Sequence, residues 1–138
     1  MENRLFDGEA LAVLLHPERW HVVCSALPAE TEPLEHARHR QWMRAHAHAH
    51  PHQEVMLLLR GQGLYGLRGQ PYACAPGTLF LFDAHEAHDL GFPPWAAPME
   101  LLWMALLPGQ CVARVTSVHD GVVEDWRHGS LLLTEAEG

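Results

Sequence analysis

Apolar residues in this chain come in short runs, and the residues between the runs are rich in Gly, Pro and Asp. The runs are Trp20–Ser25, Gln41–Met43, Glu54–Leu59, Gly63–Leu67, Thr78–Phe82, Leu101–Leu107 and Val112–Val118. Runs of this length, bounded by turn residues, predict strands. One segment differs: Asp7 followed by Gly8-Glu9-Ala10-Leu11-Ala12-Val13-Leu14-Leu15 reads as a capped short helix closed by His16-Pro17. No other helix is expected before Leu101. Arg60-Gly61-Gln62 and Arg68-Gly69-Gln70 put glycine where tight hairpins need a positive φ, and Pro76-Gly77 gives a further turn. Loops are expected at Pro28 to Glu35 and at Pro93, Pro94 and Pro98, while Leu131 to Gly138 fits either a helix start or a frayed end. The expectation is all-β, with the strands closed into a barrel or a sandwich so that their edges are covered.

A length of 138 residues suits one domain with its own core. No repeat, linker or low-complexity tract divides it. The expected organisation is a helical arm over residues 1–19, a β-barrel over 20–118 and a C-terminal extension over 119–138. Nine basic residues against seventeen acidic ones give a net charge of −8. A surface of that sign gains nothing from releasing the counterions of a phosphate backbone, so direct nucleic-acid binding is not expected. The start of the chain lacks a basic region followed by an apolar run, and no apolar stretch is of membrane-spanning length, which predicts a cytoplasmic protein without a membrane partner. Cys24, Cys74 and Cys111 form no C-x-x-C pair and are expected to be buried, reduced thiols.

The histidines add chemistry to this picture. There are twelve, and His46, His48, His50 and His52 occupy alternate positions, with Glu54 in the same parity. Alternate side chains of a strand share a face, so an unbroken strand would present all five polar groups together. Pro51 lacks an amide donor and makes an unbroken ladder doubtful. Several neutral imidazoles beside a carboxylate suit a divalent transition metal, with His85 or His88 available to complete the set. A solvated polar face is the alternative meaning of the same pattern.

These residues resemble the cupin superfamily. Its first motif, G-x5-H-x-H-x3,4-E-x6-G, is matched by His48-x-His50-x3-Glu54-x6-Gly61, with Trp42 in place of the first glycine. In the second motif, G-x5-P-x-G-x2-H-x3-N, His88 takes the histidine place, whereas Asp83, His85 and Phe92 stand where proline, glycine and asparagine are usual. Glu54 to Tyr65, Gly69 to Leu81, Glu86-Ala87-His88 and Leu101 to Leu107 are further similar to the N-terminal effector-binding and dimerisation domain of AraC-family transcription regulators. The resemblance implies a double-stranded β-helix, a jelly-roll-like barrel, with His48, His50, Glu54 and His88 converging on zinc, iron, nickel or manganese. It implies a homodimer as well.

Within such a barrel Met56, Leu58 and Trp103 are expected to line a site for a small, partly apolar effector, with Trp42 also facing the interior. His46 and His52 are expected to stay away from the ion, His52 because the chain bends at Pro51. The residues after Leu107 leave no room for the helix-turn-helix pair of the regulators. Two readings follow: a ligand sensor that passes its state to a DNA-binding partner domain, or a stand-alone metal-dependent cupin enzyme of the dioxygenase, isomerase or lyase type. An enzyme needs a placed acid or base beyond the metal ligands, and no spacing singles one out. The sensor is the favoured expectation.

Overall fold

A computed structural model describes residues 8–25, 33–89 and 92–132. Helix α1 (Gly8–Leu14) and a 3-10 turn (Pro17–Arg19) lead into β1 (His21–Val23). Then come α2 (Ala37–His46), β2 (Ala47–His48), β3 (Gln53–Gly61), β4 (Gly63–Leu67), β5 (Gln70–Cys74), β6 (Thr78–Phe82), β7 (His88–Asp89), β8 (Met99–Leu107), β9 (Gln110–His119) and β10 (Val122–Leu132). The strands form two sheets, one ordered β1-β6-β3-β8-β9-β10 and the other β2-β7-β4-β5. The pairing of β1 with β6 is parallel, and the others are antiparallel. This is the all-β, jelly-roll-like cupin arrangement. Asp7 and most of the Pro28–Glu35 loop lie outside the described residues.

The main core fills the space between the sheets. Met56, Leu58, Tyr65, Phe80, Phe82, Leu101 and Trp103 pack there with Val23, Met99 and Val118. A second cluster covers the outer face of the larger sheet, where Ala10 of α1 meets Leu57, Leu59 and Leu79. Strand β3 is therefore buried on both faces, which is why its sequence is a continuous apolar run from Val55 to Leu59 and not an alternation. The indole Nε1 of Trp20 donates to the Val13 carbonyl at 2.7 Å and ties the end of α1 to the chain that enters β1.

Five expectations change. Gln41–Met43 is not a strand but part of α2, whose N-terminus is capped by His36 Nδ1 accepting from the His39 amide at 3.0 Å. Trp42 does not face the barrel; it stacks on His46 on the half-exposed side of that helix, with ring centroids 4.4 Å apart. The Arg60-Gly61-Gln62 turn is not a hairpin, because β3 and β4 belong to different sheets and Gly61, at φ +90°, turns the corner between them. A side chain there would strike the Pro98 carbonyl, only 2.1 Å from a Cβ position. By contrast, Arg68-Gly69 is a true hairpin turn joining β4 to β5, with positive φ at both central residues as a type I′ turn requires. The chain beyond His119 adds a full strand, β10, to the larger sheet, and Leu131 and Leu132 pair with Cys111 and Gln110. Of the three free thiols only Cys74 is buried; Cys24 and Cys111 are half-exposed.

Candidate metal centre

The histidine run is divided between three elements. His46 closes α2, where its Nδ1 lies 2.8 Å from the Trp42 carbonyl, and this turns it away from the barrel. His48 lies in β2 directly opposite His88 of β7, with ring centroids 4.4 Å apart. His50 sits in the connection to β3, with its ring 4.4 Å from His48 and 5.4 Å from His88. Its carbonyl accepts from the His85 amide at 2.6 Å, so the loops carrying His50 and His88 are joined through their backbones. Glu54 lies near the start of β3, on the inward face that it shares with Met56 and Leu58.

The four residues of the motif match come together. Nitrogen atoms of His48, His50 and His88 lie within 4.8 Å of one another. The Glu54 carboxylate reaches the same place, with Oε1 3.3 Å from His50 Nε2 and Oε2 3.7 Å from His88 Nε2. Donors that share an ion at about 2.0–2.2 Å lie up to about 4.4 Å apart, so small side-chain adjustments would seat one. Borderline imidazole nitrogen with one carboxylate oxygen suits zinc, iron, nickel or manganese. His88 is held most tightly: its ring stacks on Phe82 at 4.3 Å and its Nδ1 lies 3.0 Å from the Glu86 carbonyl. Donation from Nδ1–H to that carbonyl fixes the tautomer that offers the Nε2 lone pair to the centre. Glu86 is in turn held by the Ser25 hydroxyl, which donates to its Oε2 at 2.5 Å.

His52 departs from expectation. The bend at Pro51 exists, but it does not carry His52 away: His52 Nε2 is 3.0 Å from Glu54 Oε1, and the ring stacks on that of His50 with centroids 5.0 Å apart. His50, His52 and Glu54 thereby make a second group of donors within 4.8 Å of one another.

His48, His50, His52 and Glu54 line a cavity of about 550 Å³. Trp103 borders it as expected, but Met56 and Leu58 do not; both are fully buried in the core beside it, so they share the inward face of Glu54 but not its access. The remaining wall includes Tyr65, Phe92, Ala105, Leu107 and Val112, with Arg114 and Thr116 as polar contributors. The Arg114 guanidinium lies 5.6 Å from the Trp103 ring centroid, within cation–π reach. Arg114 alternates with Val112, Thr116 and Val118 along one face of β9 and is exposed where that face borders the cavity, a cation that the alternation of β9 could have pointed to.

Fold and site together define a cupin-type ligand-binding barrel. The chain belongs to the AraC-like ligand binding domain family, whose model matches residues 33–133. Among curated proteins, none matches its sequence. A solved structure from Acidithiobacillus ferrooxidans, of a protein provisionally named a sugar phosphate isomerase, is similar at 20% identity. The match covers 59% of this chain and 56% of that one, with a TM-score of 0.35. The chain thus spans little more than half the length of that structure.

Proposed function

We propose that this chain is a small-ligand sensor, the effector-binding part of an AraC-type transcription regulator, with a divalent transition metal held by His48, His50, Glu54 and His88. The observation that carries this is the mixed lining of the cavity: a close cluster of imidazole and carboxylate donors shares it with aromatic and aliphatic residues and with Arg114 and Thr116. Such a site selects a small molecule with an apolar body and an oxygen function, which the ion would hold as a Lewis acid. Trp103 is the aromatic wall against which the apolar body packs. In this reading the chain works as a cytoplasmic homodimer and leaves DNA contact to a separate domain, in keeping with its charge of −8.

The test is metal analysis of untagged protein, followed by a thermal-shift screen of small oxygen-bearing compounds on the metal-loaded form. A sensor is stabilised by a compound that is recovered unchanged, in proportion to the logarithm of concentration over Kd. Catalytic consumption of the compound, abolished in His50→Ala, would replace this reading with the enzyme one. Absence of bound metal after loading would remove the ion from it.

A further inference from the structure

The Glu54 carboxylate is closer to His52 and His50, at 3.0 and 3.3 Å from Oε1, than to His88, at 3.7 Å from Oε2. Separations near 3 Å between a carboxylate oxygen and imidazole nitrogens equal an ordinary hydrogen bond. They also equal the spacing of neighbouring donors around an ion bound at about 2.0–2.2 Å. His52 is not part of the family motif match, yet it lines the cavity, whereas His88 stands behind the other donors and does not border the open space.

We propose that the centre has two overlapping seats for a single divalent transition ion: an inner seat built on His48, His50 and His88, and an outer, cavity-facing seat built on His50, His52 and Glu54. This rests on the metal-binding part of the reading above and extends it. The two seats share His50, and a nitrogen lone pair serves one ion at a time, so they are alternative positions of one ion. The stacked rings of His50 and His52, with planes 10° apart, place their edges side by side, which suits joint ligation in the outer seat. Glu54 stands between the seats, with Oε1 toward the outer pair and Oε2 toward His88. Every donor of the outer seat lines the cavity, whereas the inner seat, whose His48 and His50 also line it, reaches back to the buried His88 at the end of the Glu86–His88 loop. A ligand that prefers one seat therefore has a means of changing the load on that loop.

Cobalt(II) is the probe, since its visible absorption reports the number and type of donors, with zinc titration calorimetry for affinity. The proteins are the untagged chain, His48→Ala/His88→Ala, His52→Ala, and the triple variant lacking His48, His52 and His88. The double variant is expected to keep one equivalent of cobalt, with an affinity loss of at least about 100-fold and an altered spectrum. The triple variant is expected to bind none. Circular dichroism melts identify any variant that fails to fold; if the double variant does, the decision passes to the spectrum of His52→Ala, which must differ from wild type. Loss of all cobalt from a folded double variant, or binding that persists in the triple variant, overturns the outer seat while leaving the metal reading intact. A wild-type chain that takes up no metal overturns both.

Discussion

The inward face of β3 crosses two unlike regions. At Met56 and Leu58 the neighbours are Phe80 on β6 and Trp103 and Leu101 on β8, and the space is closed. At Glu54 the neighbours are Phe82 on β6 and Ala105 on β8, and the small side chain of Ala105 leaves the room into which the histidines and the cavity extend. Identical strand parity thus serves packing in one place and chemistry two residues away. Strand alternation decides the face a residue occupies, and the bulk of the residue across the ladder decides whether that face is closed or open.

The sharpest test of the closed region is Phe80→Ala. It should cost about 3–5 kcal/mol in urea unfolding, because the lost burial is joined by an unfilled cavity among aromatic rings. Gly61→Ala, at the end of β3, should cost about 3 kcal/mol from left-handed backbone strain and collision with the Pro98 carbonyl. Gly69→Ala is the control: φ is also positive, but nothing lies within 4 Å, so the loss should stay near 1 kcal/mol. An equal loss at both glycines would mean that the sheet-to-sheet corner at Gly61 is looser than described.

The open region should respond to ligands more than to truncation. Zinc at a hundred times its Kd should stabilise the chain by up to about 2.7 kcal/mol in a thermal melt, and His50→Ala should abolish that gain. Without metal, His50→Ala is expected to change stability by less than about 1 kcal/mol, since the ring is half-exposed. A large loss in the metal-free state would place His50 with the packing residues and erase the contrast between the regions. Ala105→Leu makes the open region resemble the closed one. It should alter stability by less than about 1.5 kcal/mol while removing the thermal shift from any cavity ligand.

The strands with long apolar runs were legible in the sequence, and the cupin motif match picks out four residues, His48, His50, Glu54 and His88, that the fold brings close together. Helix α2 was not, since only His39 and Met43 of its residues are buried and so small a buried stripe leaves no apolar periodicity. Strands β2 and β7 are two residues each and are defined by their pairing with one another and by that of β7 with β4. Strand β5 was obscured by Pro71, which is tolerated because β5 is an edge strand. Met56 and Leu58 were placed on the correct face and at the wrong depth, since parity carries no information on the residue across the ladder. The position of His52 was not legible, because a proline bend can either separate neighbours or, as here, let His50 and His52 stack.

The alternating histidines have one more consequence, and it concerns the chain before it folds. His88 meets His48 only after the intervening strands have found their partners, so the complete donor set is a late product of a fold rich in distant contacts. The stretch from His46 to His52, however, offers four closely spaced imidazoles even as an unfolded peptide. An ion captured there early stabilises the unstructured chain as well as the finished one, which reduces the net gain from metal. Metal supplied after folding should therefore load the centre cleanly, whereas metal present from the start should slow refolding relative to the same chain in a chelating buffer.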